Sequence, residues 1–276
     1  DDITIIGSGR TPSEAYENVI QMITTIFNWA DHHCLVLNFN KCQSMLLSPF
    51  TRKQFATHSE LIIPNASNPI LILKELRILG VTLSNSLKWK TQSHHVRKSA
   101  SKMIGVLNRL GTSLNFTSRQ RIFEAFILPK ITYCLPVWSN TGKSAEKAMD
   151  VVLLRAARVI QHKNNVHLNT STYNVTGILP FRTMSAIRCL SVAHCLLSYS
   201  DSKNYLLPLM STSGSTTVTR NISGRKFLLP SHRNTVLENS YHYNAAKLWN
   251  EIDYTVTEIN DHNIFTLKIL KHFINN

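Results

Sequence analysis

The period of the apolar positions changes along the chain. Residues 3–6, Ile-Thr-Ile-Ile, are a β-branched run that predicts a buried strand, and Gly7-Ser8-Gly9 predicts the turn that ends it. Thr11-Pro12-Ser13-Glu14 predicts a helix start, with a capping hydroxyl, a proline in the first turn and a carboxylate three residues after the cap. Tyr16, Val19, Ile20, Ile23, Ile26, Phe27 and Ala30 then recur at helical spacing, an apolar stripe suited to lie on a sheet. Apolar runs over 35–39 and 44–47, joined through Asn40-Lys41-Cys42, predict two strands. Shorter runs at 61–63, 70–73 and 76–83, separated by Pro64 and Pro69, predict a further β region. The order β, α, β, β, β reads as a helix packed on an antiparallel sheet.

After Trp89 the pattern is helical. Residues 94–110 place Val96, Ala100, Met103, Ile104, Val106 and Leu107 against Arg97, Lys98, Lys102 and Arg109. A second helix is expected over 118–128, ended or kinked by Pro129. An apolar, aromatic connector covers 131–138. A third helix, 143–160, is expected to turn Val151, Val152, Leu154, Ala156 and Ala157 inward and Arg155 and Arg158 outward. Short loops between basic helices suggest a small bundle. A mostly apolar helix over 182–198, a Ser/Thr-rich linker near 198–220 and a tail helix near 265–274 complete the reading. The tail also holds a compact patch of Tyr241, Tyr243, Ala245, Ala246, Leu248 and Trp249.

Charge changes the picture more than composition does. The 276 residues are 43% hydrophobic, enough for a substantial core. No stretch reaches the roughly 18 apolar residues of a membrane span. Five cysteines, odd in number and without a C-x-x-C pair, fit free thiols in a reducing, intracellular compartment, nucleus or cytoplasm. The net charge of +14 is uneven. Residues 1–87 carry 6 basic and 7 acidic side chains, residues 88–163 carry 14 and 3, and residues 164–276 carry 10 and 6. A solvated face mixes both signs, so the one-signed middle third points to a polyanion, and nucleic acid fits better than a membrane surface. Asp1-Asp2, at the mouth of the first apolar run, is a candidate Mg²⁺ pair, because hard oxygen ligands hold the ions that serve phosphoryl transfer. The cysteine and histidine groups at 32–34 and 189–195 do not complete a tetrahedral ligand set.

Several segments, in order, carry a family resemblance. They are Asp1-Asp2, then Leu35-Val36-Leu37-Asn38-Phe39-Asn40-Lys41-Cys42-Gln43-Ser44-Met45, then Leu79-Gly80-Val81-Thr82-Leu83 with Leu87-Lys88-Trp89. Leu128-Pro129, Tyr133-Cys134, Val137-Trp138 and Arg155-Ala156-Ala157-Arg158 follow, and the block at 239–250 closes the series. Together the chain resembles the downstream half of a LINE-type, non-LTR retrotransposon reverse transcriptase. The resemblance implies an α+β fold: a truncated right-hand polymerase palm (antiparallel sheet plus helix) over 1–90, a basic helical thumb over 91–163 and a helical C-terminal region over 164–276. It implies an RNA-directed DNA polymerase using two Mg²⁺, with RNA template, DNA primer and deoxynucleotides as partners.

On that likeness Asp1 and Asp2 hold the metals, and Lys41 stands near the leaving pyrophosphate as a charge or a proton donor. Leu79, Gly80 and Val81 begin the primer grip. Gly80 fits either a close approach of the primer or a plain bulge. Trp89 stacks on a base or belongs to the core. Arg97, Lys98, Lys102, Arg109, Arg119, Arg121, Arg155 and Arg158 are the phosphate contacts, on the far wall of a groove facing the acidic pair. The family's fingers and a further palm aspartate would lie upstream of residue 1, so the isolated chain is expected to be inactive. Two other readings stay open: a non-catalytic basic nucleic-acid-binding protein derived from such an element, and a helical scaffold whose basic face binds an acidic protein.

Overall fold

A computed structural model describes residues 3–47, 60–63, 69–198, 227–229 and 235–275. Asp1, Asp2 and the expected linker beyond Ser198 lie outside the described residues. The chain divides into two compact units, Asp1–Thr91 and Gln92–Asn276.

In the first unit the longest element is α1 (Pro12–His32). Its start follows the sequence signal. The Thr11 hydroxyl accepts from the Glu14 amide at 3.2 Å, and the Glu14 carboxylate accepts from the Arg10 amide at 2.7 Å. Four short strands follow among the described residues: β1 (Glu60–Leu61), β2 (Ile70–Leu71), β3 (Glu75–Ile78) and β4 (Val81–Ser84). They form two separate antiparallel pairs, β1 with β2 and β3 with β4. Tyr16, Val19, Ile20 and Ile23 of α1 pack on Leu61, Ile63 and Ile70. The Tyr16 hydroxyl fixes this contact by accepting from the Ile62 amide at 2.6 Å.

Three of the expected strands are absent. Residues 3–6 have no regular structure, and Ile3 and Ile6 are 64% and 80% exposed. No described strand lies beside them to complete their backbone hydrogen bonds. Gly7 and Gly9 are places of close approach: a Cβ on Gly9 would lie 2.5 Å from the Ala15 amide nitrogen, so the chain can press against the first turn of α1. Residues 35–38 are also irregular, with Val36 97% exposed. A 3₁₀ turn at Phe39–Lys41 takes the backbone bonds a strand would have used. From the 44–47 run, Ser44 alone makes a bridge, parallel to Ile72.

The second unit is helical. It holds most of α2 (Lys90–Leu110), then α3 (Phe116–Ile122), α4 (Leu128–Thr132), α5 (Leu135–Trp138), α6 (Lys143–Gln161), α7 (Thr170–Thr176) and α8 (Phe181–Ser198). Beyond the undescribed stretch come α9 (Thr235–Glu238), α10 (Tyr241–Glu251), α11 (Tyr254–Thr257) and α12 (His262–Asn275). Pro129 does not stop the second expected helix. A π turn over Phe123–Ile127 loosens the ladder just before it, so the missing proline N–H falls in the first turn of α4. The expected connector over 131–138 is likewise mostly helical, in α4 and α5.

α8 occupies the middle of this unit, packed by α5, α6, α10 and α12. That is why its sequence is apolar nearly all round. The boundary expected at 163/164 therefore falls inside one compact unit. The tail patch and α12 close over α8, with Ala245, Ala246, Trp249, Phe265 and Ile269 buried against Ile187, Leu190 and Ala193. Pro180, just before α8, has no side-chain acceptor to cap it. The Asp150 carboxylate on α6 does so instead, accepting from the Phe181 amide at 2.7 Å.

Burial raises the Asp150 pKa, partly offset by that hydrogen bond. With the folded value above the unfolded one, this titration favours the folded state below the ordinary carboxyl value of 3.8 and loses that contribution as pH rises through the folded pKa. Asp150→Asn keeps an acceptor without the buried charge, so its melting temperature at pH 7 is expected to equal or exceed wild type. Asp150→Ala removes the cap and is expected to lose about 1 kcal/mol. Thermal melts from pH 7 down to pH 3.8 check both, and the gain of the Asn variant shrinks toward the lower end.

Candidate nucleic-acid interface

α2 builds one wall of the site. It buries Gln92, Ser93, Val96, Ala100, Ile104 and Leu107, and its 21 residues include no Asp or Glu. At about 100° per residue, Lys98, Lys102 and Arg109 fall within about 40° of one another, on the side opposite the buried face. All three are exposed, and Arg97 is half-buried at the edge of the row. Both α2 and α6 are long enough to present several turns to a ligand.

Between α2 and α6 runs an open groove of about 630 Å³, lined by His94, Arg97, Lys98 and Ser101 on one side and Ala148, Val151 and Val152 on the other. Arg97 Nη2 donates to His94 Nδ1 at 3.2 Å, which holds the guanidinium at the rim. Val151, expected to point inward, is 66% exposed and gives the groove an apolar wall. Arg155 follows Ala148 by seven residues, two helical turns, and so continues that side of α6. Arg155, Arg158 and, on α3, Arg121 are exposed.

Arg119 departs from this group. It is 8% exposed and its Nη1 donates to the Val159 carbonyl at 3.3 Å. Val159 lies in the last turn of α6, where carbonyls have no partner in their own helix. The guanidinium thus ties α3 to the end of α6, and its Nε is buried without a hydrogen-bond partner. Arg119 is a packing residue, not a surface phosphate contact.

In the first unit, Lys41 is exposed at the end of its 3₁₀ turn. Leu79 and Gly80 form the two-residue tip of the β3–β4 hairpin, with Ile78 paired to Val81. Their φ values, 46° and 83°, are both positive, as a type I′ turn requires. Gly80 is accordingly a turn residue and not a bulge. Leu79, an unfavourable residue there, is 73% exposed. Val81 and Trp89 are half-buried. Asp1 and Asp2, the expected metal ligands, lie outside the described residues.

A second polar cluster joins α8 to α12. His194 Nε2 donates to the Ile259 carbonyl at 2.7 Å, leaving Nδ1 to accept from His262 Nδ1 at 3.2 Å. His262 Nε2 then accepts from the Ser191 hydroxyl at 3.2 Å, and Cys195 Sγ lies 3.4 Å from His262 Nδ1. Each nitrogen of the pair has a partner, which makes this a part-buried tie between helices. Among the described residues, no group of three or more His, Cys, Asp or Glu side chains could hold a metal ion. No helix among them is long and apolar enough to cross a membrane.

The sequence assigns no site role to His94, Ser101 or His262, and it places Val151 inward. The first two share a helix face with Lys98, a signal that spacing could have provided. Val151 needed the α2–α6 pairing, and His262 lies 68 residues from its partner His194.

Over 146 residues, 52% of the chain, the protein is 23% identical to the "Putative 115 kDa protein in type-1 retrotransposable element R1DM" of Drosophila melanogaster. The matched stretch spans 14% of that protein's length. No family model matches the chain, and no solved structure does. The similarity supports an origin in a non-LTR retrotransposon.

Proposed function

We propose that the chain is part of the RNA-directed DNA polymerase of a non-LTR retrotransposon, and that α2 and α6 hold the primer–template duplex by its phosphates. The observation that carries this reading is the α2–α6 groove, with a row of cations on a helix that has no acidic residue. A row of that kind binds a backbone without reading bases. The likeness to the R1 element protein and the order of the sequence blocks support the polymerase part. In this reading Asp1 and Asp2 hold Mg²⁺, whose charge offsets that of the phosphates. Lys41 adds a cation, and the hairpin tip at Leu79, Gly80 and Val81 meets the primer.

The test is binding of a labelled RNA–DNA duplex, followed by fluorescence anisotropy from 50 to 300 mM salt. With four phosphate contacts, the logarithm of affinity is expected to fall by about 3.6 per decade of salt. A slope near zero would remove the polyanion reading and favour the apolar wall as a protein-binding surface.

A further inference from the structure

Gly105 lies in the interior of α2, three residues after Lys102 and four before Arg109, on the same face as both. Glycine there is a poorer helix former than any residue but proline. Two ordinary reasons for it are absent. Its φ is not positive, so the backbone does not demand glycine. A Cβ built on it meets no described atom within 4 Å beyond the backbone of its own helix, so no close packing demands it either. Among the described residues, nothing requires room at Gly105.

We propose that a strand of nucleic acid crosses α2 at Gly105, its sugar–phosphate backbone seated directly on the helix between Lys102 and Arg109. This rests on the duplex-binding reading above and adds a position to it. A phosphate brought to helix backbone distance would have Lys98 and Lys102 on one side and Arg109 on the other. The Ser101 hydroxyl, one turn before Gly105 on the same face, supplies a neutral donor. A side chain at 105 would lift the strand away from this row. The bare backbone allows close contact at the expense of helix propensity.

The experiment measures thermal stability and duplex affinity of the full chain for wild type, Gly105→Ala, Gly105→Gln and Lys98→Glu/Lys102→Glu. Gly105→Ala is expected to raise the melting temperature by about 2–4 °C, yet to weaken duplex binding about tenfold, the scale of one misfitting group in a packed contact. Gly105→Gln is expected to weaken it further. Lifting the strand from the cation row also loosens its phosphate contacts, so the salt slope should fall below that of wild type. If the Gly105 variants bind like wild type while the double charge variant loses affinity, the strand runs elsewhere on α2 and this inference fails alone. If the double charge variant also binds like wild type, the inference and the duplex reading fail together. If the Gly105 variants lose binding to poly-glutamate but not to duplex, the occupant is an acidic protein and the inference is overturned.

Discussion

Replacing Lys98 and Lys102 by glutamate is expected to weaken binding to an RNA–DNA duplex about a hundredfold near 0.1 M salt. Each substitution removes one favourable contact and puts a like charge against a phosphate, at a scale of about tenfold per position. The salt slope should fall by about 1.8, two contacts at about 0.9 each. Both side chains are exposed on the face of α2 opposite its buried residues, so the melting temperature should barely change. Paired anisotropy titrations and thermal melts check both outcomes. A fall in stability comparable to the fall in affinity would show that the two lysines hold the fold and not the ligand.

Trp138→Ala should have the opposite signature, a collapse of the second unit. The indole is fully buried, its Nε1 donates to the Tyr133 carbonyl at 2.8 Å, and its ring lies 5.7 Å from Phe181 at the start of α8. Truncation opens a cavity between α5 and α8 and removes that hydrogen bond, a loss of about 3–5 kcal/mol. Domains have about 5–15 kcal/mol of stability in total, so this one change should remove a large share of it. Trp138→Phe keeps most of the volume and should lose less. Urea unfolding followed by circular dichroism measures both. An alanine variant as stable as wild type would mean that α5 does not anchor α8.

Elements whose signals were local could be read from the sequence. The Thr11–Glu14 cap and the apolar stripe of Tyr16, Val19, Ile20 and Ile23 define α1 without reference to anything distant. α2 and α6 announce themselves in the same way. The short β runs were harder, because a strand needs a partner and the sequence does not name one. Residues 3–6 have strand composition but no described neighbour, and residues 35–39 lose to the turn at Phe39–Lys41. The hairpin turn at Leu79-Gly80 was hidden because leucine is a rare choice at its first position.

The site was legible in its charge and not in its geometry. The excess of cations over 88–163 and their spacing on α2 marked the face of that helix that lies opposite its buried residues. Arg119 looked no different from Arg121 in sequence, and only the approach of the Val159 carbonyl, 40 residues away, separates a helix tie from a surface cation. The groove itself required α2 and α6 to be side by side. Gly105 carried no signal until the space beside it was known to hold no other described residue.

Acetylation footprinting of the lysines, with and without an RNA–DNA primer–template, tests the central claim most directly. Lys98 and Lys102 should be protected by the duplex, while Lys268 and Lys271 on α12 react as in the free protein. Equal reactivity of Lys98 and Lys102 with and without duplex would contradict the assignment of the α2–α6 surface to nucleic acid.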